Sequence, residues 1–136
     1  MPCKTDSSNP ADWLFIAESE LEGLRRLAAE ELAYTMCVSK LAEVLEKVLK
    51  AELIRTGWFL EKTHDLLVLA RSLEARGSDL QPDVKRLAQS LAGVYFTTRY
   101  PGFDLDDPDW PDLRAKLEAV TALFKTVKER VAAGAS

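Results

Sequence analysis

The sequence predicts an all-α protein, folded as an up-and-down antiparallel helical bundle of four long helices plus one shorter helix. Two observations predict this class. Apolar residues recur at intervals of three and four through most of the 136 residues, and no segment shows the sustained alternation of a strand. The intervening links are short, which favours antiparallel packing of successive helices.

The first two predicted helices have recognisable ends. Asn9 and Pro10 fit the N-cap and the first helical position of helix one. Helix two extends from about Ala33 to Thr56, and Gly57 fits the left-handed position that ends helices. The residues expected to be buried are Leu14, Ala17, Leu21, Leu24 and Ala28 in the first helix and Cys37, Leu41, Val44 and Val48 in the second.

Three more helices are predicted in the second half of the chain. Thr63 is the expected N-cap of the third helix, which ends at Gly77. The fourth begins near Pro82 and stops near Tyr100, because Pro101 disfavours the α conformation before it. Segment 101–111 is too rich in Pro and Asp to be helical. The residues expected to be buried are Leu66, Leu69, Ala70, Leu73, Val84, Leu87, Leu91, Val94, Leu113, Leu117, Val120, Phe124, Val127 and Val131.

Length and composition indicate one domain and exclude several classes of protein. We predict a flexible leader at 1–9, a helical domain at 10–132 and a frayed C-terminus at 133–136. The formal net charge of −4 argues against a protein that coats long nucleic acids. No run approaches a membrane span and the leader has no apolar core, so we expect a cytoplasmic protein. Cys3 and Cys37 are expected to be free thiols.

The chemistry of most familiar enzyme classes is missing from the sequence. Neither a P-loop nor a G-x-G-x-x-G fingerprint is present, and there is no H-E-x-x-H or G-x-S-x-G segment. Two cysteines and one histidine are too few for a four-ligand zinc site. We therefore expect no metal and no cofactor.

Three short segments contain the candidate functional residues. On helix two, Glu43 and Glu46 precede Lys47 and Lys50 by four residues each, which is typical of a self-paired surface; either lysine could instead meet a phosphate. The next segment is Thr63-His64-Asp65-Leu66, where His64, the single histidine, is either a plain first-turn residue or the acid–base candidate. Asp65 is expected in the first turn, near the positive end of the helix dipole.

The third candidate segment is Tyr95 to Pro101. Arg99 lies in the last predicted turn of helix four, where a cation complements the negative end of the helix dipole. Arg is also the preferred residue for binding phosphate through two parallel hydrogen bonds. Tyr100 offers a ring on which a base could stack. Packing at the rim of the bundle is the structural alternative for the tyrosines.

In their order along the chain, these segments resemble the HEPN family, named for nucleotide binding in higher eukaryotes and prokaryotes. The resemblance covers roughly residues 11–130. The segments that carry it are Ala11-Asp12-Trp13-Leu14, the E-K-x-x-K-A run within Leu41–Ala51, Gly57, Thr63-His64-Asp65-Leu66, and Tyr95 followed by Arg99-Tyr100-Pro101.

The resemblance implies a bundle of four or five helices, commonly a homodimer. Bacterial and archaeal members are often encoded beside a minimal nucleotidyltransferase, with which they form a toxin–antitoxin-like module. Other members are metal-independent endoribonucleases that use an Arg followed after four to six residues by a His. Nucleotide or polyanion binding is a third activity suggested within the family.

This sequence departs from the ribonuclease pattern. Asp104, Leu105 and Asp106 occupy the positions after Arg99 where the family's ribonucleases have a His. We therefore predict the partner subunit of a minimal nucleotidyltransferase, with a nucleotide or phosphate site drawn from Lys47, Lys50, His64, Asp65, Arg99 and Tyr100. The alternatives are an endoribonuclease toxin with a non-standard site, in which His64 and Arg99 are the catalytic candidates, and a stand-alone nucleotide-binding helical dimer.

Overall fold

The computed structural model describes residues 7–57, 63–94 and 107–134. Every helix or strand assigned within those ranges is an α-helix, which confirms the all-α class. The five helices are α1 (Pro10–Glu30), α2 (Tyr34–Arg55), α3 (Leu66–Ala75), α4 (Asp83–Leu91) and α5 (Trp110–Gly134).

Three of these helices are long and two are short, whereas the sequence predicted four long helices and one shorter. α1, α2 and α5 have 21, 22 and 25 residues. α3 has 10 residues and α4 has 9. α3 is short because Asp65 caps it late and Gly77, at φ 72°, follows its end. The fourth helix was predicted to continue to Tyr100, but α4 ends at Leu91 and a turn follows at Ala92 and Gly93; residues 95–100 lie outside the described residues.

The predicted ends of α1 and α2 agree closely with the structure. Asn9 is the N-cap of α1, and its side-chain oxygen accepts a hydrogen bond from the Ala11 amide at 3.0 Å. α2 ends at Arg55 and is followed by Gly57 at φ 96°. Both features were read from residue type alone, because capping and left-handed backbone depend on local chemistry.

α5 begins earlier and ends later than predicted. Trp110 and Pro111 are helical, although segment 101–111 was expected to be non-helical. Pro is tolerated in a first helical turn because its missing N–H has no intrahelical acceptor there. Asp109 caps this turn by accepting a hydrogen bond from the Asp112 amide at 3.1 Å. The helix continues to Gly134.

Contacts between side chains show that α1 runs antiparallel to both other long helices. Trp13 lies against Lys50, and Glu20 contacts Lys47, so α1 and α2 run in opposite directions. Between α1 and α5, Lys128 lies 2.5 Å from Glu18, and Arg114 lies 3.0 Å from Glu31. These two helices therefore also run in opposite directions. α2 and α5 are therefore parallel to each other.

The up-and-down order predicted from the sequence does not hold between α2 and α3. His64, just before α3, lies 2.9 Å from Glu46, and Arg76, just after α3, donates a hydrogen bond to the Thr56 carbonyl at 3.2 Å. α3 therefore runs parallel to α2. The start of α3 therefore lies about three turns of α2 away from Gly57. The prediction was wrong here because it assumed that the link was short.

The core forms where the apolar faces of all five helices meet. The residues predicted to be buried are buried, except Val94 and Val131, which are partly buried at the margin. The largest fully buried side chains include Leu41, Leu45, Leu49 and Leu53, which places α2 at the centre of the bundle. α2 packs on α1, α3, α4 and α5.

A buried carboxylate joins three parts of the bundle. Glu52 of α2 is 2 % exposed and is contacted by Arg55 Nε at 2.5 Å and Arg130 Nη1 at 2.7 Å. Arg130 also forms a two-point contact with Asp79 in the link between α3 and α4, at 3.0 and 2.7 Å. The hydrogen bond from Arg130 lowers the pKa of Asp79, and the same contact raises the pKa of Arg130. We call these four residues the Glu52 cluster.

Of the two cysteines, Cys37 is a free thiol in the core, and burial raises its pKa. Cys3 lies outside the described residues. Ser7, in the predicted leader, has defined contacts: its carbonyl accepts a hydrogen bond from Trp13 Nε1 at 2.9 Å, and its hydroxyl donates to Asp12 at 2.6 Å. The end of the leader therefore packs on α1.

Substitution by alanine is expected to change the stability of the fold in opposite directions at Gly57 and at Gly23. Gly57→Ala is expected to destabilise the fold by about 1–2 kcal/mol, because φ 96° is strained for a residue with a Cβ atom. Gly23→Ala is expected to stabilise it by about 0.5–1 kcal/mol, because Gly23 lies inside α1 and a Cβ there meets nothing within 4 Å. Urea denaturation of both variants measures the difference, and equal effects would contradict it.

Candidate functional site around His64

His64 lies just outside α3, at the position before its N-cap. Asp65, rather than the predicted Thr63, is the N-cap, and its carboxylate accepts hydrogen bonds from the amides of Leu67 and Val68 at 2.9 and 3.4 Å. The Thr63 hydroxyl accepts a hydrogen bond from the Asp65 amide at 3.1 Å. Both residues thus hold the turn that precedes α3, and the His64 ring projects from that turn with 77 % of its side chain exposed.

The exposed imidazole of His64 is attached to a largely buried ion pair on α2. His64 Nδ1 lies 2.9 Å from Glu46 Oε2, and Lys50 Nζ lies 3.0 Å from the same oxygen. An ionised carboxylate only accepts hydrogen bonds, so both nitrogens donate to it. The Glu46–Lys50 pair was predicted from its i,i+4 spacing and is confirmed. Its contact with His64, eighteen residues away, was not predicted.

Lys50 is held on its other side by an aromatic ring. Its ammonium lies 5.0 Å from the centre of the Trp13 ring, a cation–π distance, and the residue is 3 % exposed. The ammonium of Lys50 therefore lies between the Trp13 ring and the Glu46 carboxylate. We call Trp13, Lys50, Glu46 and His64 the His64 relay.

The other predicted lysine, Lys47, is paired with a different helix. Its ammonium contacts Glu20 of α1, and Glu20 also lies 2.9 Å from Lys40. Glu43, the i,i+4 neighbour considered for Lys47, lies 2.8 Å from Lys40. Lys47 therefore links α1 to α2, and a contact between Lys47 and a phosphate stays a prediction.

The end of α4 lies at the same end of the bundle as His64. A small hollow of about 40 Å³ is lined by His64 and Glu46 together with Leu91, Ala92 and Val94. The start of α3 and the end of α4 thus meet, as an antiparallel pair requires. Arg99 and Tyr100, which follow α4 in the sequence, lie outside the described residues. Their convergence with His64 stays a prediction.

The contact with Glu46 determines which nitrogen of the neutral His64 ring carries the proton. Because Nδ1 donates to Glu46, the neutral ring carries its lone pair on Nε2. Nε2 can then accept a proton, or, once protonated, donate a hydrogen bond to an anion. The arrangement supports either proton transfer or phosphate contact at one atom.

Sequence reasoning missed Trp13 and Glu20 and gave Glu46 a smaller role than it has. The contact between Trp13 and Lys50 could have been predicted from an antiparallel pairing of α1 and α2. A register that pairs Glu20 with Lys47 also brings residue 13 near residue 50. No comparable signal connects Glu46 with His64. Their contact depends on the direction of α3, which local patterns do not encode.

Two features are absent from the described residues. No group of three His, Cys, Asp or Glu side chains in the ranges 7–57, 63–94 and 107–134 is arranged to hold a metal ion. Among the helices in those ranges, none combines the length and apolar character needed to cross a bilayer.

The site thus lies on an α-helical bundle whose single histidine directly precedes the N-cap of the third helix. The chain matches the family model of the HEPN domain over residues 10–131. That span is most of its length, and the chain belongs to the HEPN family. No curated protein and no solved structure matches it.

Proposed function

We propose that this HEPN protein is the partner subunit of a minimal nucleotidyltransferase, and that it binds the phosphate groups of a nucleotide through His64. The observation that carries the phosphate site is the exposed imidazole fixed by the buried Glu46–Lys50 pair. The subunit role is supported by family membership together with the missing Arg-to-His spacing at Arg99.

Among the members of the His64 relay, His64 is the residue whose side chain is open to a ligand. Lys50 is buried beneath Glu46, so it acts on a ligand only through the relay. The Asp65 carboxylate is engaged in capping α3 and would repel a phosphate oxygen. The adjoining hollow of about 40 Å³ is too small for a nucleobase, so the phosphates are the part of the ligand that this surface recognises.

Calorimetry with ATP and GTP tests the phosphate site. We expect His64→Ala to weaken nucleotide binding about tenfold or more, the value of one charge-assisted hydrogen bond. Arg71→Ala is the matched control, since it removes an exposed polar side chain from α3 without touching the relay. Equal binding by the wild type and His64→Ala would contradict the assignment.

Co-expression with the product of the neighbouring gene, which this proposal expects to be a minimal nucleotidyltransferase, tests the subunit role. A complex that survives size-exclusion chromatography with light scattering is the expected result. Growth of a bacterial host with and without the neighbouring gene adds a functional readout, because toxicity relieved by one member of the pair indicates a toxin–antitoxin-like module. No complex with the nucleotidyltransferase would contradict this role.

One observation favours the second candidate function, a metal-independent endoribonuclease. A carboxylate bonded to Nδ1 leaves Nε2 as the proton-transferring atom, which is the geometry of a general base. RNA cleavage by the pure protein in EDTA, lost in His64→Ala and retained in Arg71→Ala, would favour this function. Cleavage that persists in His64→Ala would exclude His64 as its base.

A further inference from the structure

A groove between α1 and α5 is not used by the His64 relay. Two adjoining hollows of about 510 and 520 Å³ form it, and they share Arg25, Thr121 and Lys125 at its middle. On α1 it extends from Glu18 to Ala29, which at 1.5 Å per residue is about 17 Å. That length matches three turns of a single helix.

The floor and sides of this α1–α5 groove are mainly apolar. Leu21, Leu117 and Phe124 contribute the larger side chains, and each remains slightly exposed. Small residues between them, which leave space for another chain, are Ala28, Ala29, Thr121 and Ala122. An apolar floor of this kind favours a partner with an apolar stripe.

The groove is more basic than the protein as a whole. Five cationic side chains line it against three carboxylates, although the net charge of the chain is −4. Lys128 is paired with Glu18, and Arg114 with Glu31. The three remaining cations, which form no ion pair among the described residues, are Arg25, Arg26 and Lys125.

Arg25 and Lys125 lie on opposite sides of the groove. One belongs to α1 and the other to α5, and both line each of the two hollows. A helix lying between them would present its apolar stripe to the floor and would be flanked by a cation on each side. Carboxylates on both edges of that stripe would then meet the two cations.

We propose that the α1–α5 groove is the docking surface for an acidic amphipathic helix of the partner nucleotidyltransferase. This inference rests on the proposed subunit role and adds the surface and the chemistry of the partner segment. Two observations support it. The cations Arg25, Arg26 and Lys125 complement an acidic helix, and the groove is as long as three helical turns.

A protein segment fits the groove better than a nucleic acid does. Glu22 and Glu118, for which the structure shows no ion pair among the described residues, also line it and make it a surface of mixed charge rather than the continuous positive groove that follows a nucleic-acid backbone. The apolar floor offers Phe124 as its one aromatic side chain, and Lys128 lies 5.8 Å from the centre of that ring. Successive bases would need more stacking faces than this.

The test is a charge reversal measured on the two-protein complex. We expect R25E/K125E to weaken binding of the nucleotidyltransferase by about 100-fold or more, with the larger loss at low salt, because like charges would then face each other. R71E/K85E is the matched control: it reverses one Arg and one Lys that are exposed and unpaired in the described parts of α3 and α4. This control is expected to bind like the wild type.

Any other result of this experiment contradicts the docking surface, the subunit role or both. A wild-type complex that R25E/K125E leaves unchanged overturns the docking surface alone, while the subunit role stands. Equal loss in R25E/K125E and R71E/K85E shows a general charge effect and also overturns the docking surface. The absence of a wild-type complex overturns the subunit role and the docking surface together.

Two further measurements exclude other occupants of the groove. If R25E/K125E changes the oligomeric state of the isolated protein, the groove is an interface between copies of this chain and the proposal fails. If R25E/K125E loses affinity for a single-stranded RNA oligonucleotide while the protein complex is unaffected, the groove binds nucleic acid and the proposal fails. Thermal melting by circular dichroism checks that both charge variants fold.

Discussion

Glu46→Leu is expected to lower the free energy of unfolding by about 3 kcal/mol, because it leaves a buried ammonium without its carboxylate. Lys50 is 3 % exposed, and Glu46 is its ion-pair partner. The same change removes the group that fixes Nδ1 of His64. Urea denaturation measures the stability. ¹⁵N NMR measures the tautomer, without ambiguity of assignment because the sequence has one histidine.

A second substitution separates the structural role of Glu46 from its positioning role. Glu46→Leu/Lys50→Met replaces the whole ion pair with apolar side chains and is expected to recover most of the lost stability. It does not restore a partner to His64 Nδ1, so the tautomer and the nucleotide affinity should remain those of Glu46→Leu. If the double variant recovered the wild-type tautomer and nucleotide affinity, Glu46 would affect His64 only through the stability of the fold.

The control for this pair of variants is Glu43→Gln. Glu43 lies one turn before Glu46 on α2 and contacts Lys40, whose side chain is 39 % exposed. Partly exposed pairs of this kind contribute at most about 1 kcal/mol. A loss of stability in Glu43→Gln as large as that in Glu46→Leu would contradict the importance of burial at Lys50.

Arg130→Leu is expected to lower the free energy of unfolding by about 2–3 kcal/mol, because it removes one of two guanidinium groups that compensate a buried carboxylate. Glu52 keeps Arg55 but loses its link to α5, and Asp79 loses the partner that lowers its pKa. The Glu52 cluster joins α2, α5 and the α3–α4 link, so the loss should appear as a shift of the single unfolding midpoint.

Arg86→Leu provides the comparison for Arg130→Leu. Arg86 pairs with Asp83, but these side chains are 72 % and 68 % exposed. An exposed pair contributes little because water screens it and both side chains lose entropy, so the expected change is below about 0.5 kcal/mol. Equal losses in Arg130→Leu and Arg86→Leu would show that burial of Glu52 does not control its contribution.

Local features of the sequence predicted most of the fold correctly. The stripe from Leu14 to Ala28 and the seam from Leu113 to Val127 are buried, because helical periodicity decides which face of a helix can leave water. The N-cap at Asn9 and the helix end at Gly57 depend on one residue each. α5 starts earlier than predicted because Pro111 fits the first turn of a helix, although the Pro and Asp content of segment 101–111 argues against helix.

The candidate site was only partly predictable. His64 was selected as the single residue suited to acid–base work near neutrality, and the Glu46–Lys50 pair followed from spacing. The contact of this pair with His64 was not predictable, since it joins α2 to the residue before the N-cap of α3 and depends on the direction of α3. The predicted roles of Arg99 and Tyr100 lie outside the described residues.

Residue patterns were enough to predict an all-α domain, the buried faces of its helices, the HEPN resemblance and the absence of the Arg-to-His spacing at Arg99. The tertiary structure decided that α3 runs parallel to α2, that Glu46 holds His64, and that Glu52 joins Arg55 and Arg130. The reason is physical: periodicity and capping act within one helix, whereas these contacts depend on the direction and register between helices.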